Sequence, residues 1–387
     1  MPVKNRLADL QPEIAAWRQD IHAHPEIGFG TVRTAALVAE KLREFGCDEV
    51  VTGIGQVGVV GVIKGKSDSK GKVIGLRADM DALPILEATD VPYKSETDGA
   101  MHACGHDGHT AMVLGAAKYL AETRNFDGTV VVIFQPAEEL GSGAKAMCDD
   151  GMMDCFGVQE VYGLHNWPGM PVGEFAIRPG AMMAATDEFF IDVTGKGCHA
   201  AEPNAGVDPT VVASQIVMAL QTIISRNMDP VLQGVLSVTA FTTSSTAFNV
   251  IPQSVAMRGT VRTHSLETQD MIERRISEVA TNTAAAFGAT AEVRYLRHVP
   301  ITINSDEPAE FAAEIARSVS GACHEAPLVM GGEDFSYMLM ERPGAFIFLG
   351  NGDTAGVHHP AYNFNDEAIP AGCSWFAELV ERRMPAA

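Results

Sequence analysis

The sequence predicts an α/β protein whose main domain is split around an inserted α+β unit of ferredoxin-like βαββαβ order. Three observations lead there. Apolar runs at 72–80, 128–134 and 160–164 each stop abruptly in polar residues, as buried parallel strands do at their C-terminal ends. From about residue 187 the texture changes to alternating strands and two amphipathic helices. After about residue 303 the first texture returns, with a helix at 308–320 and a strand at 345–349. A chain of 387 residues is also long for a single core. The expected boundaries are 1–185 with 303–387 for the split domain and 186–302 for the insertion.

Taken in order, residues 5–45 read as helical on either side of a break at Pro25, with Arg18, His22 and His24 at a polar helix end. A strand follows at 56–64, then a turn cluster at 66–71. The run 72–80 delivers Arg77, Asp79 and Asp81, the second run Glu138 and Glu139, the third His165. Ligand crevices of open α/β sheets lie at such strand ends. Between the first two sits Met101-His102-Ala103-Cys104-Gly105-His106-Asp107-Gly108-His109, feeding a helix at 108–123. A helix N-terminus there would lower the Cys104 thiol pKa. In the insertion, strands are expected at 188–194, 235–243, 249–263 and 291–299, and helices at 207–225 and 266–287.

Composition narrows the function. Lys and Arg number 28 against 49 Asp and Glu, a formal charge of −21, which argues against nucleic-acid and anionic-membrane partners. Seven scattered cysteines make no disulfide framework and suit a reducing compartment. No apolar run approaches the ~18 residues of a membrane span, and the first ten residues, MPVKNRLADL, lack a signal-like apolar stretch. The expected location is the cytoplasm.

Cys104, His106, Glu139, His165 and one of His358 or His359 offer more ligands than one tetrahedral ion needs. Two metals with a shared bridging group would use all five. Thiolate and imidazole favour Zn, Co or Ni, with Mn admitted through the carboxylate. Glu138, beside Glu139, is the candidate general base for a water acidified by such ions. The resulting hydroxide would attack a polarised carbonyl. His199, in a loop of the insertion, is a candidate donor to the oxyanion.

The segments RADMDALP (77–84), MHACGHDGHT (101–110), QPAEE (135–139), GLHN (163–166), GKGCHAAEP (195–203), NVIP (249–252), GGEDF (331–335) and HHPAYNFND (358–366) together resemble the M20 metallopeptidase clan. More narrowly they resemble its amidohydrolase branch, which holds hippurate hydrolases, N-acyl-amino-acid deacylases and indoleacetyl-amino-acid hydrolases. The resemblance implies a zinc-peptidase-like α/β catalytic domain with a satellite domain that serves as lid or dimerisation module. It implies two divalent ions held by Cys104, His106, Glu139, His165 and His358, with Cys104 as bridge and Glu138 as base. His358 is preferred to His359 because the family's pattern is His-x-Pro. Asp79 matches a position that orients a ligand from behind, His199 the satellite histidine that reaches the substrate carbonyl, and Asn249 a substrate-binding position. Cys198 stands where the family usually has Gly, and Asn204 where His is common.

The implied activity is hydrolysis of N-acyl amino acids to a carboxylic acid and an amino acid, in a homodimer or homotetramer assembled through the satellite domain. A dipeptidase, aminopeptidase or N-carbamoyl-amino-acid hydrolase could use the same metals. A silent binding protein would be expected to lose a ligand or Glu138, and none is lost.

Overall fold

The computed structural model describes residues 4–386. They pack into two compact units. The first comprises residues 4–182, 302–327 and 334–386, the second residues 183–301 and 328–333.

The first unit is built on an eight-stranded sheet. Its order is Glu49–Ile54, Gly58–Lys64, Thr129–Gln135, Val73–Asp79, Glu160–Pro168, Gly344–Gly352, Phe175–Ile177, Cys323–Glu325. The four central strands from Thr129–Gln135 to Gly344–Gly352 run parallel, so their C-terminal ends open on one edge. Val130 to Phe134 and Ile74 to Ala78 are buried continuously, because helices cover both faces of a parallel sheet. The helix His106–Thr123 packs against Asn5–Ala23 and Ile369–Arg383, and its burial almost all round explains the weak polarity of its sequence. Gly115 permits this, since a Cβ there would lie 2.6 Å from Ile14 Cδ1 and 2.7 Å from Cys373 Sγ. Each fully buried Leu or Met on this helix contributes roughly 1.5–3 kcal/mol of transfer free energy.

The second unit is a two-layer sandwich. Its antiparallel sheet has the order Gly234–Thr243, Ser254–Thr263, Ala185–Thr194, Thr290–Val299. The helices Pro209–Thr222 and Leu266–Ala286 share its core with Phe189, Ile191, Val193, Met257 and Val261. Alternate residues of Ala185–Thr194 and Ser254–Thr263 are buried, the signature of a sheet with one covered face. This is the expected ferredoxin-like arrangement.

Several local expectations change. The strand expected at 249–263 is two. Val250–Ile251 pairs with Cys198–His199, and Ser254–Thr263 joins the main sheet. Pro252 separates them, having no N–H for a ladder. The third apolar run does not end before His165 but continues as strand to Pro168, so His165 projects from within the sheet. Residues 328–333, assigned by sequence to the 303–387 half, pack with the second unit instead. There the Val329 carbonyl accepts from Ala184 N at 3.0 Å and from His264 Nε2 at 2.9 Å. The strand Glu49–Ile54 and the C-terminal helix Ile369–Arg383 had no place in the sequence reading.

Candidate metal centre

Cys104 and His106 flank Gly105, whose left-handed φ of 91° starts the His106–Thr123 helix. His165 enters from the neighbouring parallel strand. Its Nδ1 lies 2.6 Å from the Asn166 carbonyl, which can only accept, so Nδ1 carries the proton. The Nε2 lone pair therefore faces Cys104 Sγ, 3.3 Å away.

Glu138 and Glu139 follow the strand Thr129–Gln135 through a turn in which Ala137 takes φ 53°. Asp81 fixes that turn. Its Oδ1 accepts from Glu138 N at 2.9 Å and its Oδ2 from Glu139 N at 3.2 Å. His358, itself at φ 63°, donates its backbone N–H to the Ala103 carbonyl at 2.7 Å and brings Nε2 to 3.3 Å from Glu139 Oε1. Its neighbour His359 turns away, and His359 Nδ1 accepts from Ala361 N at 3.0 Å.

Two donor groups emerge, and they share one atom. Cys104, His106 and His165 form the first; Cys104, Glu139 and His358 form the second. His106 also groups with Glu138 and Glu139. Both ring nitrogens of His106 are buried without a hydrogen bond. Yet Asp79, Asp81, Glu138 and Glu139 surround them at 3.5–3.9 Å. Donors on one tetrahedral ion stand roughly 3.3–3.8 Å from one another at ordinary metal–ligand lengths. Orphaned imidazole nitrogens, a lone pair aimed at a thiol sulfur and spacings of this size fit a soft divalent cation better than a hydrogen-bonded cluster.

Burial and neighbouring charges set the protonation of the donors. Burial, with the cluster's own His109 and His106 adding repulsion, holds His165 well below its ordinary pKa and keeps it neutral. Burial also opposes charge on His106, but Asp79 and Cys104 outweigh it and raise its pKa. The expected lowering of the Cys104 thiol by the helix terminus is reversed: burial and the Glu139 charge raise it well above the usual value. A cation is the missing charge that would favour thiolate here.

Asp79 is fully buried and bonds His109 Nδ1 at 2.7 Å and Arg77 Nη1 at 2.9 Å. It lies 3.7 Å from His106 Nε2. His199 and Asn249 belong to the second unit, where both are exposed and line a shallow groove of about 490 Å³ with Cys198, Ser244 and Gln253. The Ala200 amide bonds the Asn249 carbonyl at 3.0 Å, joining the two loops. Sequence reasoning gave no role to Asp81, His109, Asn166 or Tyr362. For Asp81 a signal existed: it continues the alternation Arg77, Asp79 beyond the strand end. His22, a candidate polar residue of the first helix, is a buried structural partner of Asp107 at 2.9 Å and Glu87 at 3.4 Å.

Residues 75–382 match the description "Peptidase family M20/M25/M40". The chain belongs to this family. Among its relatives, a hippurate hydrolase of Campylobacter jejuni is 43% identical over 378 residues, covering 96% of this chain and 97% of that one. An N-acetylcysteine deacetylase of Bacillus subtilis is 39% identical, with 94% of each chain covered. Among solved structures, a dinuclear metal-binding peptidase of the M20 family from Bacillus subtilis superposes with a TM-score of 0.87 at 35% identity, covering 98% of this chain and all of that one. The M20 chain described here is accordingly a metal-dependent hydrolase of the amidohydrolase branch, with the α/β catalytic fold and satellite domain of its neighbours. No helix among the described residues is long and apolar enough to cross a membrane.

Proposed function

We propose that the protein hydrolyses the amide bond of N-acyl amino acids, releasing a carboxylic acid and an amino acid. Two divalent ions (Zn, Co, Ni or Mn) would be held by Cys104, His106, Glu139, His165 and His358. The observation that carries this reading is the pair of donor groups meeting at Cys104 Sγ with Glu138 beside them. The named relatives supply the substrate class, since hippurate and N-acetylcysteine are both N-acyl amino acids.

When bound, the ions would polarise the scissile carbonyl and acidify a water. The chain's own groups do the rest. Glu138, 11% exposed and held through its amide by Asp81, takes the proton of the attacking water and passes it to the leaving nitrogen. Asp79 steadies the imidazoles from behind. Cys104, His106 and His165 are buried, while His358 lies exposed on the open side of the cluster. His199 is proposed to donate to the carbonyl oxygen and Asn249 to contact substrate.

The satellite domain, spanning roughly residues 186–302, is proposed to join subunits into a dimer or tetramer. The strand Gly234–Thr243 favours this, because it pairs on one side alone among the described residues and leaves Phe241 half exposed. A cytoplasmic location is part of the proposal, supported by the free cysteines and the acidic composition.

The decisive experiment measures amine release from hippurate, N-acetyl and indoleacetyl amino acids after reconstitution with each metal. Dipeptides and N-carbamoyl amino acids serve as controls. Chelator-sensitive release from one acyl class supports the proposal. Activity confined to the controls overturns the substrate assignment.

A further inference from the structure

The carboxamide of Asn166 lies fully buried behind the donor cluster, and its hydrogen bonds can be drawn in one way alone. One end lies 2.6 Å from the Cys104 carbonyl. A carbonyl only accepts, so that end is the NH2 group. The other end is then Oδ1, and the Tyr362 hydroxyl must donate to it at 2.8 Å. The Asn166 backbone N–H donates to His109 Nε2 at 2.9 Å, with the side-chain Nδ2 also 3.1 Å away. His109 must therefore carry its proton on Nδ1 and give it to Asp79 at 2.7 Å. Every member is buried, and no alternative proton arrangement exists.

This amide and its two partners lie on three separate segments that carry the proposed ligands. The Cys104 carbonyl belongs to the bridging turn. Asn166 itself follows His165 on the strand. Tyr362 belongs to the loop of His358, which is tied again to the turn by His358 N and the Ala103 carbonyl. The space is matched to the contact: a Cβ on Gly105 would sit 2.3 Å from Asn166 Nδ2 and 2.4 Å from the Tyr362 hydroxyl.

We propose that Asn166, clamped by Tyr362 and His109, is a positioning residue that sets the separation of the two donor groups sharing Cys104. The proposal rests on the dinuclear reading above. Asn166→Asp is its sharpest probe, because the swap is nearly isosteric and keeps the acceptor for Tyr362. It sets a carboxylate oxygen against the Cys104 carbonyl, two acceptors with no proton between them.

The test titrates the metal-free full-length protein with Co²⁺, following the sulfur-to-cobalt absorption band and counting bound metal. Wild type is expected to take two equivalents. Asn166→Asp and Asn166→Ala are expected to bind at least one equivalent about 10–100-fold more weakly, the usual cost of losing a residue that orients ligands. Their sulfur-to-cobalt band should change, and kcat should fall with KM retained. Tyr362→Phe, which deletes one hydroxyl, should weaken metal binding in the same direction and serves if the Asn166 variants do not fold. Two equivalents of wild-type affinity with an unchanged band in Asn166→Asp, or in Tyr362→Phe where that variant alone folds, overturn the positioning role. Fewer than two equivalents in wild type would overturn the dinuclear reading and this inference with it.

Discussion

The carboxylate of Asp81 accepts the backbone N–H of Glu138 at 2.9 Å. With its other oxygen on Glu139 N, the same side chain orients the backbone of both the proposed base and a proposed ligand. Asp81→Asn would turn an N–H donor toward one of these amides. A lost bond and an unsatisfied donor cost about 1–3 kcal/mol. The expected result is a lower melting temperature and a lower kcat, read by calorimetry and initial rates. Wild-type values in both would deny Asp81 its role.

Glu138→Gln removes the proton acceptor while keeping shape. A fall in kcat of about 10²–10⁴ is expected, in line with the usual contribution of a general base, with two metal equivalents still bound by elemental analysis. Near-normal turnover would remove Glu138 as base.

His199→Ala should lower kcat strongly and leave metal content unchanged, because His199 lies on the second unit while the five proposed metal ligands lie on the first. Unchanged kcat would return His199 to an ordinary loop histidine.

Metal removal should act on stability as well as rate. Ligands that bind only the folded chain stabilise it by about 4 kcal/mol at a thousand times Kd. Chelation is therefore expected to abolish activity and lower the melting temperature, and Zn, Co, Ni or Mn to restore both. A melting temperature indifferent to chelator and metal would contradict a metal centre built from these residues.

His22 gives a pH signature away from the metal ligands. Burial opposes its charge, but its bonds to Asp107 and Glu87 outweigh that and raise its pKa to about 9. Its unfolded value is about 6.5. The folded state thus holds the proton more tightly, so the stabilisation is complete below about 6.5 and disappears as pH rises through about 9. The shift corresponds to roughly 3 kcal/mol. His22→Gln should flatten the fall in melting temperature between these pH values, and an unchanged slope would assign that fall to other groups.

Much of the architecture is legible in the sequence because it rests on long apolar periodicities. The apolar runs at 72–80 and 128–134 read as strands covered on both faces, and the alternation within 188–194 as a half-buried one, as Ile74 to Ala78, Val130 to Phe134 and Ala185–Thr194 prove to be. Short strands such as Phe175–Ile177 and Cys323–Glu325 carry no such period, and neither announces itself. In the site, the residue types of the candidate donors are visible because Cys, His and Glu are chemically conspicuous. The amide of Asn166 is not. Its meaning lies in contacts with Cys104 and Tyr362, 62 and 196 positions away, and no local pattern encodes those. The thiol of Cys104 shows the converse. A helix terminus is readable from sequence, but the burial that overrides it is a property of the assembled fold.

The two donor groups that meet at Cys104 also differ in when a ribosome can deliver them. Cys104, His106 and His165 emerge within the first half of the chain, whereas the second group waits for His358. At about 5–20 residues per second the interval is roughly 10–40 s. Throughout it, a growing chain carries three donors and an unfinished partner set. His165 and His106 in turn sit on elements that pair with Gly344–Gly352 and pack against Ile369–Arg383, so neither donor group reaches its folded setting until the C-terminal segment has been made.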